Sequence, residues 1–536
     1  MTGSAIPLRR SLWVWGCLGF FLLSRMPAIL CPYELNRDES QMAAQAMRYA
    51  QDLTPWRSVE GETNGPLDSW LLTAAHAVGM PLAYSALHAL AAACLAAALL
   101  ATYAALRKLA GDTAALIGLA AGSIWLALAP VEDFVHYSSE LVPILLLSLA
   151  MAAIAGARRA GKGLDWRLGA VGGFLLGLAP WAKLQAGPVA LALGIWAIWD
   201  GLRGPSDPVR DRGRYLAALT AGAIVPSALL LTWISAAGAT EEFWRIYILG
   251  GLYHGRSRPW SEHLQNIEDL LFWRPSSPWF WDVVILTVGV ARLWRRATRQ
   301  TIPGTTLCLA AIWLAASVFV ALRPITQWSH YSLFCLAPLM LCASICGGLL
   351  VGADARRLRS WMILALGVIA LPAANFFKYH YDRAAEAMLP SSGGRAFEGQ
   401  IFLAKAVRHF VPQPRSLAIW GWAPSIYVDL GLPPATRNAV CAFLMDDNPG
   451  RDFLRSAYMR DLEKSAPEVI VDVEDYVLHG QRKDSPDTFP ALAGLPRPVL
   501  FAAGSRRAQT EPGLQPNDQY LQAADRLNLP WESEMR

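Results

Sequence analysis

The sequence predicts a polytopic α-helical membrane protein with a small extracytoplasmic α/β domain at its C-terminal end. Three observations predict it. The 536 residues are 54% hydrophobic and 17% charged, with a mean hydropathy of +0.29, where soluble chains carry about 25% charged residues. About eleven apolar segments approach the roughly 20 residues that a spanning helix needs. Basic residues cluster in every second connection between those segments.

The expected spans are 11–29, 83–105, 113–130, 141–157, 168–182, 186–200, 215–236, 278–293, 304–322, 332–352 and 360–377. Arg9 and Arg10 followed by "SLWVWGCLGFFLLS" look like a signal peptide, but no small-x-small cleavage site follows, so the segment reads as a retained first helix. The fifth and sixth spans are short and meet at "WAKLQAGP", which predicts a broken or re-entrant pair. The basic connections hold Arg9 and Arg10, then Arg107 and Lys108, then Arg158, Arg159 and Lys162, and later the segments 201–214, 292–299 and 356–359. Positive loops face the cytoplasm, which puts the N-terminus inside and the C-terminus outside.

Three of the outward-facing segments are long or chemically loaded: 31–82, 131–140 and 237–279. The first and third are expected to carry helices lying at the lipid interface, the third being rich in Trp and Tyr. Near residue 378 the composition changes. "SLAIWGWAPSIYVDLGLPP" and "PEVIVDVEDYVL" hold β-branched runs bounded by Pro and Gly, while "EGQIFLAKAVRHF" and "GRDFLRSAYMRDLEK" have helical spacing. The expected domains are therefore 1–377 in the membrane and 378–536 outside it.

The net charge of +5 is explained by the loop residues that orient the chain, and no nucleic-acid surface is expected. The eight cysteines give no disulfide framework and no zinc-type spacing. Six lie in apolar runs; Cys31 and Cys441 lie nearer the bilayer edge, and a bond between them stays open.

Several polar residues sit where the predicted bilayer ends. Asp38 and Glu39 open the first outer segment, at the start of a stretch with apolar residues at helical spacing. Asp38 is either a helix cap or a carboxylate kept charged by helix-start amides. Glu140 stands at the outer lip of the fourth span, where a carboxylate needs a partner or water. "GETNGPLDSWLL", with Asn64, reads as a turn re-entering a helix. Lys183, Arg323, His330 and Tyr331 fall at other span ends, as phosphate contacts or as interface anchors.

Taken in order, these segments resemble the GT-C glycosyltransferase superfamily, and within it the bacterial relatives of protein O-mannosyltransferases and lipid A aminoarabinose transferase. The Asp-Glu pair of that family is matched by Asp38 and Glu39, its second acidic residue by Glu140, a Lys-Gly-Pro-like element loosely by "KLQAGP", and a His-Tyr element by His330 and Tyr331. "GETNGPLDSWLL" matches a Gly-x-Pro segment but has Asn64 where many members have Lys. "WGWAPSIYVDLGLPPATR" is similar to the outer domain of some bacterial members.

The resemblance implies transfer of a sugar from a polyprenyl-phosphate carrier to an acceptor hydroxyl of an envelope glycan, lipid or protein, with inversion, in a bacterial inner membrane. For that chemistry Asp38 is the expected general base, with Glu140 and Glu39 as supporting carboxylates, and Asn64, Lys183, Arg256, Arg258, Arg323, His330 and Tyr331 are the candidate substrate contacts. No tightly held metal is expected; a weakly bound divalent cation is left open. Two other readings stand beside this one: a transporter of lipid-linked saccharides and a non-catalytic membrane scaffold. The acids at the span ends, rather than in mid-membrane, and the absence of an internal repeat weigh against the transporter.

Overall fold

The computed structural model describes residues 5–61, 63–128, 132–159, 163–203, 209–254, 303–324, 328–351, 404–405, 407–408, 411–445, 450–473 and 499–502. Two compact units share the chain. Unit 1 comprises Met1–Leu35, Ser85–Trp233 and His254–Met388; unit 2 comprises Asn36–Tyr84, Ile234–Tyr253 and Leu389–Arg536.

Unit 1 is helical. Its long helices are α1 (Ala5–Leu30), α4 (Tyr84–Leu109, whose first residue belongs to unit 2), α5 (Asp112–Leu128), α6 (Leu141–Ala157), α7 (Trp166–Ala182), α8 (Gly187–Arg203), α9 (Val209–Ala236, whose last three residues belong to unit 2), α10 (Gly304–Leu322) and α11 (Leu336–Val351). Among the described residues, five helical stretches are long and apolar enough to cross a membrane: Ser11–Leu30, Tyr84–Leu109, Val209–Ala236, Gly304–Leu322 and His330–Gly347. The protein is thus an integral membrane protein. The predicted spans at 141–157 and 304–322 coincide with α6 and α10. Those at 278–293 and 360–377 lie outside the described residues.

Arg25 lies within the apolar run of α1, and its guanidinium is buried. It donates to the Leu126 carbonyl at 2.7 Å and stands 5.2 Å over the Phe21 ring. Leu126 lies in the last turn of α5, where carbonyls lack partners within their own helix. A charge within an apolar run thereby caps a neighbouring helix.

Helices α7 and α9 approach at backbone distance. A Cβ on Gly173 would collide with the Leu219 carbonyl, one on Gly177 with the Ala223 carbonyl, and one on Gly222 with the Ala170 carbonyl. The Gly173-x-x-x-Gly177 spacing puts both glycines on one face, a pattern that lets helices close up in a bilayer. Gly173→Leu is therefore expected to force the helices apart and cost about 1–3 kcal/mol, read as a lowered melting midpoint in detergent.

Unit 2 is built from α2 (Arg37–Tyr49), α3 (Pro66–Ala77), the stretch from Thr240 to Tyr253, and a parallel sheet of β3 (Leu417–Trp420), β4 (Val469–Val473) and β5 (Val499–Ala502). (β1, Arg158–Arg159, and β2, Gly163–Leu164, form a two-residue antiparallel pair in unit 1.) Leu417 pairs with Val469 and Ile470 with Val499. Helices α12 (Ser425–Leu430) and α13 (Arg451–Ser465) lie between β3 and β4 in sequence. The strands expected in "SLAIW" and "PEVIVDV" and the helix in "GRDFLRSAYMRDLEK" are where β3, β4 and α13 fall; most of "EGQIFLAKAVRHF" lies outside the described residues.

Asn36 starts α2: its side chain accepts from the Asp38 backbone N–H at 3.0 Å. The capping role considered for Asp38 thus belongs to the residue two places earlier, and Asp38 sits in the first turn. Glu39 through Ala46 are all buried, so α2 is enclosed on every face. Its spacing suggested a single apolar stripe. The polar residues are matched instead by α3, where Ser69 donates to Gln45 at 2.8 Å and Thr73 to the Ala46 carbonyl at 3.2 Å.

Three segments distant in sequence meet around Trp56 in unit 2. Its ring lies 5.0 Å from those of both Phe243 and Tyr247, on a π-helical stretch, Phe243–Gly250. Arg437 donates through Nε to Asp461 at 2.9 Å, lies 3.8 Å from Glu242, and reaches the Trp56 carbonyl at 3.5 Å. The two carboxylates hold its guanidinium charged against a burial cost that alone would lower its pKa.

Candidate active site

The site in unit 1 forms where α6 begins, α7 ends, α8 begins and α11 begins. Helix α7 stops at Lys183, whose extended backbone (φ −150°) leads into a single 3-10 turn, Leu184–Ala186, before α8. The expected break at "WAKLQAGP" is this turn. It is pinned on both sides. Trp181 donates to Ser227 on α9 at 2.9 Å, Gln185 donates to the Val320 carbonyl on α10, and Trp196 on α8 donates to the Thr305 carbonyl at 2.9 Å.

That placement drives Lys183 onto Glu140. The two form an ion pair, with Lys183 4% and Glu140 0% exposed. Lys183 Nζ also donates to Ser139 Oγ at 2.8 Å and lies 4.9 Å from the centre of the Tyr331 ring. Glu140 Oε1 takes the lysine and, at 3.4 Å, the Ser139 hydroxyl, and the neighbouring Ser138 hydroxyl also favours the carboxylate.

His330 and Tyr331 lie on a 3-10 stretch, Ser329–Cys335, that leads into α11. His330 Nε2 is 3.9 Å from Glu140 and its Nδ1 is 3.6 Å from Asp133. The His136 ring meets it edge-on, centroids 6.0 Å apart. His254 shares a hydrogen bond of 3.2 Å with the Tyr331 hydroxyl. Burial first, then the charges of Lys183 and His330, pulls His254 down to about 4, so it is neutral near pH 7.

Burial by itself would raise the Glu140 carboxyl. The charges of His330 and Lys183 outweigh burial and bring it down to about 2. The carboxylate is therefore fixed as an anion in a place closed to water. It can accept a hydrogen bond from a hydroxyl without a prior proton loss.

The structure thus brings together Glu140, Lys183, His330 and Tyr331 from the residues read in the sequence. It adds Asp133, His136 and His254, which are not among the candidate site residues read from the sequence. The sequence shows no His/Cys cluster, yet folding assembles carboxylates and imidazoles here, the donor types that suit divalent ions. Arg323 is exposed, following α10, with its guanidinium 5.4 Å over the Phe319 ring. Arg256 and Arg258 lie outside the described residues.

Asp38, Glu39 and Asn64 belong to unit 2. Asp38 is half-buried in the first turn of α2, and Glu39 is fully buried. Asn64 closes a turn by donating its N–H to the Gly61 carbonyl at 2.9 Å. Gly61 needs its φ of +79° there, and an added Cβ would meet the Asn64 oxygen at 2.9 Å.

All eight cysteines are free thiols, Cys31 and Cys441 included.

No protein-family model matches the sequence, and no curated protein matches it. Solved structures do match. ArnT from Cupriavidus metallidurans bound to undecaprenyl phosphate aligns with a TM-score of 0.56 at 14% identity, over 79% of this chain and 85% of that one. The apo state of the same protein aligns with a TM-score of 0.53 at 14% identity, over 80% and 86%. An Archaeoglobus fulgidus oligosaccharyltransferase tethered to an acceptor peptide gives a TM-score of 0.48 at 11% identity, over 84% and 68%. The likeness to ArnT shows that this chain has the GT-C fold.

Proposed function

We propose that the protein is a membrane glycosyltransferase that moves a sugar from a polyprenyl-phosphate carrier to a hydroxyl of an envelope glycan, lipid or protein, with inversion. One observation carries the reading: a fully buried Glu140 carboxylate, held charged by Lys183 and His330, at the helix ends of a GT-C fold. The ArnT structure named above, bound to undecaprenyl phosphate, supports the class of carrier.

The reaction breaks the bond from the sugar's anomeric carbon to the phosphate oxygen and forms one to the acceptor oxygen. The transition state is oxocarbenium-like. The polyprenyl phosphate leaves as a stable anion and needs no proton. The acceptor's proton goes to Asp38, the general base, a role worth roughly 10²- to 10⁴-fold. Glu140 orients an acceptor or sugar hydroxyl, and the buried Glu39 supports Asp38 from behind. Lys183 is engaged by Glu140, so phosphate charge falls to His330 with Tyr331, and to Arg323, Arg256 and Arg258. Such fixed charges are usually the largest catalytic contribution. A divalent ion enters only as a weakly bound addition through Asp133, His136, Glu140 or His330, and no step above depends on it.

In this reading about eleven helices span a bacterial inner membrane, with the N-terminus cytoplasmic. Residues 1–377 form the membrane domain, the interfacial helices lie in 31–82 and 237–279, and residues 378–536 form the outer α/β domain.

The test uses purified protein in liposomes with synthetic polyprenyl-phosphate sugars and candidate envelope acceptors. Mass spectrometry is expected to find free polyprenyl phosphate and a glycosylated acceptor together. Movement of the intact carrier across the bilayer without cleavage would replace this reading with a transporter.

A further inference from the structure

Three buried side chains in unit 2 carry polar atoms with no hydrogen-bond partner among the described residues. Asn438 is 1% exposed and leaves both Nδ2 and Oδ1 without a partner; Ser425 Oγ and Gln41 Nε2 are in the same condition at 1% and 2%. Each such group costs about 1–3 kcal/mol. Native chains rarely keep them without a reason.

The three border one cluster. Ala44, Ile426, Tyr427 and Ala439 pack in a single apolar core, and Gln41, Ser425 and Asn438 flank its members in sequence. On α2, Arg37 donates to the Trp422 carbonyl at 3.4 Å, and Ala44 touches the core beside Ile426. Gln41 lies between those two on the same helix face, at the 3–4-residue spacing that aligns side chains. It therefore faces the turn Gly421–Ser425 after β3. The segment bearing Asn438 joins that turn too, through the Cys441 N–H to the Gly421 carbonyl at 3.0 Å. This place lies at the carboxyl end of a parallel strand, where open α/β sheets bind ligands.

The unpaired set is neutral and mixes donors with acceptors: two amides and a hydroxyl. That chemistry suits the hydroxyls of a sugar ring better than a phosphate, which calls for cations or a row of N–H groups. Trp422, half-buried in the same turn, adds an aromatic ring. Asp38 begins the helix that carries Gln41, one turn earlier.

We propose that Gln41, Ser425 and Asn438 form a sugar-hydroxyl subsite, reached by displacement of the turn at 421–424. The hydroxyls belong either to the donor's sugar or to an acceptor glycan. The inference rests on the glycosyl-transfer reading, and the experiment separates the two.

Asn438→Leu replaces the unpaired amide with an apolar group of similar volume. The full-length variant is expected to melt no lower than wild type, because the buried amide is gone. Its KM should rise about tenfold or more for one substrate, with kcat changed much less. A rise for the polyprenyl-phosphate sugar assigns the subsite to the donor; a rise for the glycan assigns it to the acceptor. Ser425→Ala, a smaller change, should raise the same KM and serves if the leucine variant misfolds. Binding of simple methyl glycosides, followed by tryptophan fluorescence, should weaken in parallel and does not require turnover. Both KM values within twofold of wild type, with unchanged glycoside binding, would overturn the subsite and leave the transfer reaction standing. Wild-type protein that binds glycosides yet transfers no sugar would remove the reaction and keep the subsite.

Discussion

Asp38→Asn is expected to leave the protein folded and inserted while lowering sugar transfer by about 10²- to 10⁴-fold. The folded part of this expectation comes from the helix start. Asn36, not Asp38, supplies the capping side chain, and Asp38 contributes its backbone N–H at 3.0 Å. Asparagine keeps that N–H. What is lost is a negative charge in the first turn, worth roughly 0.3–1 kcal/mol to α2. The lost activity should appear in kcat and in kcat/KM equally, since a base acts only as the acceptor proton moves. Initial rates at saturating donor, with a melting curve on the same preparation, decide the matter. A variant that melts normally and transfers at the wild-type rate would strip Asp38 of its role.

Lys183→Met should be the most destabilising single change at the unit 1 site, by about 3–5 kcal/mol at neutral pH. It leaves a fully buried carboxylate without its lysine, 3.9 Å from His330 Nε2. The double variant Lys183→Met with Glu140→Gln should recover most of the loss, because no unbalanced charge then stays buried.

The pH dependence has a definite sign. In the wild type the Glu140 carboxyl is depressed to about 2, so the pair's contribution is complete above the unfolded value of about 4.3 and fades as pH falls toward 2. In Lys183→Met, burial is no longer opposed by the lysine and the carboxyl rises. That protein gains relative to wild type as the pH drops. The difference in melting midpoint should therefore be widest near pH 8 and narrower near pH 4.5, as followed by scanning fluorimetry in detergent. A Lys183→Met protein as stable as wild type at pH 7.5 would show that the pair does not hold unit 1 together.

Where the sequence was legible, the signal was local. The runs at 141–157 and 304–322 give α6 and α10 to the residue because Glu140 and Pro303 bound them sharply. The break at Lys183 was legible because Gln-Ala-Gly-Pro cannot continue a helix smoothly. The Asn36 cap was also present in the sequence, as an asparagine just ahead of an acidic pair, and attention to the acids hid it. Other features have no local signature. Arg25 finds its carbonyl 101 residues away, and Lys183 finds its hydroxyl partner 44 residues away. Asp133 and His136 sit in a short loop whose value depends on His330, nearly 200 residues later. Arg437 meets Asp461, Glu242 and Trp56, none of them near it in sequence. Periodicity reports which face of an element is apolar. It is silent on which distant element will cover that face.

The meeting of Trp56, Phe243, Tyr247 and Arg437 has a consequence for biogenesis. Ribosomes release these residues in widely separated instalments, and the arginine arrives last. Until then the indole and its aromatic neighbours have lost their closing piece, and α2 lacks the strands and helix that enclose it. Nascent chains of this protein must therefore keep the early part of unit 2 unaggregated until the rest of that unit is made. Half-built surfaces of this kind are where misassembly begins.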